Sequence, residues 1–359
     1  MIMGTEEDIK GIEDEIKKTK YNKHTQYHVG QLKAKLAKLK EDATSKGGGG
    51  IGKTFSVRKS GDATVILVGF PSVGKSTLIN SITSADSKIG EYDFTTLDVI
   101  PGVMEYCSAK IQVLDIPGVV SGASSGRGMG KEILSAVRNA DLIIIIVDKP
   151  GQREVVEREL YDVGFRLNEK KPDVVVKKTD RGGVRVSVAT KLTHIDEKMV
   201  RLVLNERGMH NADVVIRENI TLDRLIDSLS KNRVYAKSLV VYNKIDLLSD
   251  EQRKSMPKTM LKISSLKGEG IEELRKEIWD KLSLSRIYMK RIGKGPDMEK
   301  PLIIRSNSTI EDVASKVHRE FARNLEYARI WGPSAKFPGQ KVGGKHVAKD
   351  RDVVELHMK

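Results

Sequence analysis

Residues 63–82 read ATVILVGFPSVGKSTLINSI. ATVILVGF is apolar almost throughout, as a strand buried on both faces must be. Gly69–Ser76, GFPSVGKS, matches G-x-x-x-x-G-K-[ST], and the helix-like STLINSI follows it. The glycines let backbone N–H groups curl around phosphates at a helix N-terminus. Lys75 adds a charge for the β- and γ-phosphates, and the Ser76 hydroxyl is a ligand for Mg²⁺. The expected phosphate-binding set is Gly69, Pro71, Ser72, Val73, Gly74, Lys75, Ser76 and Thr77.

Outward from this stretch, residues 111–114, 142–147 (LIIIIV), 239–242 (LVVY) and 261–263 (LKI) are further strand signals. Helical patterns such as KEILSAVRNA and IEELRKEIWDKL separate them. Strands alternating with helices predict an α/β fold with a doubly wound, mostly parallel sheet. Its ligand-binding turns should lie at the C-terminal ends of the strands.

The turns after three of those strands, and one further loop, carry chemistry. DIPGVV (115–120) places Asp115 to hold a magnesium-bound water and the Gly118 N–H to meet the γ-phosphate. YDFTTLD (92–98) offers Thr95 and Thr96 in a loop that can close over the metal. NKID (243–246) follows LVVY. The Asp246 carboxylate can accept from the N1–H and amine of guanine, a donor pair adenine lacks. Asn243 braces that loop and the Lys244 stem covers the base. Ser264, Ser265 and Leu266 would supply backbone N–H groups to the guanine oxygen. Four motifs in this order, each at a strand end, specify GTP.

The 359 residues suggest several domains. Residues 1–60 contain a helical hairpin: Ile9, Ile12 and Ile16 share one face, Leu32, Leu36 and Leu39 another, with Tyr21–Gly30 as the turn. Lys33, Lys35, Lys38 and Lys40 then form either a solvated face or a polyanion contact. SKGGGGIGK (45–53) reads as a linker. The GTPase domain takes 61–148 and 239–285. Residues 149–238 are an inserted α/β subdomain, in which PDVVVKKTDRGGVRVSVAT alternates on each side of Asp180–Gly183 like a β-hairpin. Residues 286–359 form a small mixed-sheet domain containing an amphipathic helix within STIEDVASKVHREFARN.

The formal net charge is +14. Residues 1–60 hold 13 Lys/Arg against 8 Asp/Glu, residues 149–238 hold 19 against 14, and residues 286–359 hold 16 against 9. The GTPase segments are slightly acidic. A near-neutral engine thus bears basic appendages suited to a polyanion. The longest apolar run is too short to cross a bilayer, and no signal-peptide pattern opens the chain, so a cytoplasmic location without membrane is expected. The single cysteine, Cys107, reads as a small strand residue.

GFPSVGKS, DFTTLD, DIPGVVSGASSGRGMG, NKID and the C-terminal segment together resemble the developmentally regulated GTP-binding protein family, a branch of the Obg-related GTPases. The resemblance covers nearly the whole chain. It implies a helical N-terminal region, a GTPase core interrupted by an insert resembling a ribosomal-protein fold, and a C-terminal TGS domain of β-grasp type. It also implies that Thr96 is the switch threonine on magnesium, and a ribosome-associated role in translation. Several Obg relatives have a potassium-linked asparagine where this chain has Ser72, so the resemblance leaves K⁺ activation open. Val119 stands where many GTPases place a water-orienting glutamine; the resemblance implies that a hydrophobic residue there is normal for the family.

The reading is therefore a Mg²⁺-dependent GTPase, slow on its own, with Lys75, Thr96 and Gly118 as its catalytic groups. Its expected partners are the ribosome or structured RNA and an accessory regulatory protein, not DNA. The alternative is a GTP-gated switch for protein partners in which hydrolysis is incidental. Arg127 is read as a solvated loop residue or RNA contact rather than an internal arginine finger.

Overall fold

The computed structural model describes residues 3–20, 22, 24–46, 61–83, 100–115, 140–257 and 260–359. The chain divides into two compact units, 1–54 with 164–235, and 55–163 with 236–359.

In the larger unit, strands numbered along the chain are β1 (Ala63–Gly69), β2 (Ile100–Tyr106), β3 (Ala109–Asp115), β4 (Leu142–Val147), β9 (Val234–Tyr242) and β10 (Leu261–Lys262). They lie in the order β10-β9-β4-β1-β3-β2. Every pairing is parallel except β2 with β3. The central pair explains the apolar runs, because every residue of β1 and β4 is buried. Each isoleucine of LIIIIV contributes about 1.5–3 kcal/mol by leaving water. One face packs on Leu78, Ile79 and Ile82 of the helix Lys75–Ile82 and on Ile271, Leu274 and Ile278 of the helix Ile271–Leu282. The helix Gln152–Val163 also lies against β4, burying Val156 and Leu160. Cys107 is not inside a strand: with Ser108 it makes the two-residue turn from β2 to β3. Both residues have positive φ (50° and 65°), the twist that such hairpins favour.

The same unit carries a second sheet of β11 (Leu284–Met289), β12 (Leu302–Arg305), β13 (Leu325–Trp331), β14 (Gln340–Val342) and β15 (Asp352–Met358), ordered β12-β11-β15-β13-β14. Only β11 and β15 run parallel. The helix Ile310–Val317 packs Ile310, Val313 and Ala314 onto Ile287, Ala328, Ile330 and Val354. A Thr309–Asp312 capping box starts that helix. It ends at His318, whose extended backbone (φ −162°) splits the expected amphipathic helix into two, the second being Arg319–Asn324. Leu284 and Ile303 join the core of the first sheet beside Trp279. Arg305 pairs with Asp141, and Lys316 pairs with Asp62.

In the smaller unit, the helices Met3–Lys18 and Gln26–Lys46 form the hairpin. Its turn is shorter than expected, because residues 26–30 are already helical. Asn22 Oδ1 accepts from the His24 and Thr25 amides and closes the bend early. β5 (Phe165–Leu167), β6 (Val174–Lys178), β7 (Val184–Val188) and β8 (Ala212–Ile216) complete the strands, with β6-β8-β7 as a three-stranded sheet. The expected hairpin of β6 and β7 is therefore split: β8 lies between them, antiparallel to β6 and parallel to β7. Asn211 holds the wide turn open, its Oδ1 accepting from the Gly183 N–H at 2.9 Å and its Nδ2 donating to the Asp180 carbonyl at 3.3 Å. β8 takes the centre because Ala212, Val214 and Ile216 supply buried apolar side chains.

The hairpin's second helix is part of this core. Ala34 is buried with Met199, Val203 and Leu225. Gly30 sits where a side chain would meet the Met199 sulfur, 2.5 Å from the Cβ position. Three of the four lysines read as one face have partners in the hairpin or the subdomain: Lys33 pairs with Asp223, Lys40 with Glu13, and Lys38 donates to the Glu206 carbonyl. Lys35 is exposed. Arg166 and Asp227, both nearly inaccessible, form a two-pronged ion pair at 2.5 and 2.8 Å, and Arg233 adds a third contact to Asp227 at 2.6 Å.

Candidate nucleotide site

β1 ends at Gly69, and the chain turns through Ser72 (φ 62°) and Gly74 (φ 93°) before the helix Lys75–Ile82. Gly69 is required by close approach: its Cβ position lies 2.4 Å from the Ile146 carbonyl oxygen. Gly74 needs both its left-handed conformation and its small size, since a side chain would meet Asn243 Nδ2 at 2.4 Å. Pro71, Ser72, Ser76 and Thr77 are exposed on the loop and first helical turn, and Val73 is buried beneath them. The amides of that first turn have no intrahelical carbonyl to bond, which makes them donors for an anion. Lys75 Nζ is held within the loop by the carbonyls of Gly69 (3.2 Å) and Phe70 (3.0 Å).

Asp115, the last residue of β3, comes to this loop from the next strand. Its Oδ2 accepts from Ser76 Oγ at 3.2 Å. Its Oδ1 is buried and has no hydrogen-bond donor among the described residues. Burial raises the Asp115 pKa, while the Lys75 charge and the Ser76 hydroxyl oppose the rise. A hydroxyl, a partly unsatisfied carboxylate and a helix N-terminus form a donor set that fits Mg²⁺ with a phosphate. Thr96, Gly118, Val119 and Arg127 lie outside the described residues, as do Thr95 and the glycine run at 47–50.

At the end of β9, Asn243 is buried and bonded to two loops. Its Nδ2 donates to the Val73 carbonyl at 2.8 Å, while its Oδ1 accepts from the Ser265 amide (3.0 Å) and hydroxyl (2.9 Å). Lys244 is left-handed (φ 62°), and its Nζ donates to the Ser72 carbonyl at 2.5 Å and to Asp148 Oδ2 at 2.7 Å. Asp246 Oδ1 accepts from Ser264 Oγ at 2.6 Å, the main cause of the carboxyl's lowered pKa. The carboxylate is thus ionised and oriented, as guanine recognition requires.

The expectation that Ser264, Ser265 and Leu266 all present amides to the base needs correction. The Ser264 N–H donates to the Glu269 carbonyl and the Ser265 N–H to Asn243. Both serines serve as scaffold, leaving the amide of the exposed Leu266. Asp148, which the sequence reading passed over, stands at the C-terminal end of β4. It lines a cavity of about 500 Å³ with Phe70, Ser72, Lys244 and Leu247. Its position after a fully apolar strand, where α/β sheets bind ligands, was the available signal.

Residues 64–178 match the family described as 50S ribosome-binding GTPase, 181–284 its C-terminal region, and 285–358 the TGS domain. An uncharacterized GTP-binding protein of Methanocaldococcus jannaschii is 53% identical, the match covering 100% of this chain and 94% of that protein. GTP-binding protein 1 of Schizosaccharomyces pombe is 46% identical over 99% of each chain. Developmentally-regulated G-protein 3 of Arabidopsis thaliana is 42% identical over 97% of each. Among solved structures, the YchF GTPase of S. pombe overlaps 85% of this chain and 100% of its own, at 17% identity and a TM-score of 0.46. With its P-loop sheet, its TGS sheet and these full-length relatives, the chain belongs to the developmentally regulated GTP-binding protein family of GTPases.

Proposed function

We propose that this chain hydrolyses GTP to GDP and phosphate with Mg²⁺, and acts as a cytoplasmic switch on the ribosome or another structured RNA. The observation that carries the GTPase reading is the Asn243 bridge, which ties the phosphate loop at Val73 to the guanine-reading segment at Ser265. The loop amides and Lys75 would bind the phosphates, and Asp246 with the Leu266 amide would read the base. Ser76, and Asp115 through a water, would hold the metal with Thr96. A Mg²⁺ held there would supply positive charge to offset the charge of the triphosphate. Val119 offers no hydrogen bond to water, so the chain's own contribution is positioning and electrostatics from Lys75 and the Gly118 amide. Slow turnover alone and faster turnover on a cognate surface follow. The potassium option at Ser72 has no support from the relatives and is not part of this reading.

The polyanion reading rests on the basic excess of the inserted and C-terminal regions and on the ribosome-binding description of the matched family. The N-terminal lysines contribute less, because Lys33, Lys38 and Lys40 already have partners. A GTPase assay with and without purified ribosomes, across a salt series, tests both parts. Stimulation that fades steeply with salt is expected. Turnover indifferent to ribosomes would move the reading to the protein-partner switch, and no turnover at all would end it.

A further inference from the structure

Lys244 is fixed from two sides. Its ammonium donates to the Ser72 carbonyl at 2.5 Å and to Asp148 Oδ2 at 2.7 Å. Asp148 is itself held: Gln152 Nε2 donates to its Oδ1 at 3.0 Å, Gln152 Oε1 accepts from the Asp148 amide at 2.9 Å, and the Tyr242 hydroxyl donates to the Asp148 carbonyl at 2.7 Å. These groups come from four places: the phosphate loop, the end of β4, the helix Gln152–Val163 and the end of β9. Ser72 is the residue forced to positive φ (62°), so its carbonyl direction is set by an unfavourable backbone. A lysine free to rotate spends side-chain entropy to reach such a carbonyl; a carboxylate already in place removes most of that cost.

Resting on the guanine-nucleotide reading of this site, we infer that Asp148 is a positioning residue. It holds Lys244 across the phosphate loop at Ser72, and thereby sets how tightly guanine nucleotides are retained. Asp148 acts through Lys244, whose ammonium donates to its Oδ2. Hydrogen bonds from Lys244 and Gln152 and the Lys244 charge outweigh the burial that opposes ionisation, so its carboxyl stays below the ordinary carboxylate range. The tie is therefore ionic throughout the neutral range.

The test is a double-mutant cycle on the full chain, read by release of a fluorescent GDP analogue. Asp148→Asn should speed release about tenfold, and Lys244→Met by a similar factor. The double variant should release no faster than the faster single variant, because both changes break one tie. Asp148→Glu, which keeps the charge, should recover part of the loss, while thermal unfolding without nucleotide stays near wild type for Asp148→Asn. Multiplicative effects in the double variant would overturn the inference, as would release from Asp148→Asn equal to wild type. If wild type itself retained no guanine nucleotide, the functional reading would fall and this inference with it. If wild type binds and Asp148→Asn is indistinguishable from it, only the inference falls.

Discussion

Asn243 Nδ2 lies 2.8 Å from the Val73 carbonyl, so the NKID segment and the glycine-lysine loop are tied by this buried hydrogen bond as well as by the Lys244–Ser72 contact. The partners are 170 positions apart in sequence and both are buried. Asn243→Ala orphans that carbonyl and, on the other side, the Ser265 amide and hydroxyl. A buried unsatisfied group costs about 1–3 kcal/mol. The variant should lose guanine-nucleotide affinity by about tenfold or more and show a lower unfolding temperature, read by nucleotide titration and calorimetry.

Lys75→Ala removes the only side-chain cation bonded to the Gly69 and Phe70 carbonyls among the described residues. Triphosphate turnover should fall by about two orders of magnitude, the scale for deleting one preorganised charge contact. A single-turnover phosphate-release assay decides it, and hydrolysis at the wild-type rate would remove Lys75 from the phosphate role.

Asp246→Asn tests the base reading. The amide keeps the length and can still accept from Ser264, but it presents a donor where guanine needs an acceptor. Competition titrations should show GTP affinity falling and xanthosine triphosphate affinity rising. Unchanged preference for GTP would remove Asp246 from the recognition.

Asp115 makes a pH prediction with a definite sign. Burial raises its folded-state pKa, so the native protein binds that proton more tightly than the unfolded chain does. The ionised carboxylate therefore costs stability in full above the folded pKa. The cost fades as pH falls through that value towards the ordinary carboxylate range. Without nucleotide or metal, Asp115→Asn should raise the unfolding temperature at pH 7.5, and the difference from wild type should shrink as pH is lowered into the ordinary carboxylate range. In GTP with Mg²⁺ the same variant should lose the stabilisation that wild type gains.

In the smaller unit, Asp227→Ala should be far more disruptive than any surface substitution. It leaves Arg166 buried without its two-pronged partner and also frees Arg233. Breaking such a buried pair costs about 3–5 kcal/mol. Hydrogen exchange at the β8 amides should accelerate accordingly.

The strands of the GTPase sheet were readable because LIIIIV and ATVILVG are apolar enough to need cover on both faces. The phosphate loop was readable because glycine and lysine at fixed spacing have few other uses. Partner choice was less legible. Nothing local to β6 and β7 shows that β8 will come between them. That outcome depends on Asn211 and on the buried side chains of a strand more than twenty residues beyond β7. Likewise the periodicity of residues 310–324 contains no sign that the backbone will extend at His318. Residue types told the role of Ser264 and Ser265 only in part, because a motif says which amides are near a base and not which are already bonded.

Leu284 and Ile303 belong to the second sheet by backbone pairing and to the first by the apolar layer they complete. A cut at Ser283 would strip both from that layer and leave Trp279 and Leu282 facing solvent. The C-terminal module is accordingly welded rather than hinged. Whatever grasps it also holds the P-loop sheet, and a truncated GTPase fragment is expected to be sticky rather than merely shortened.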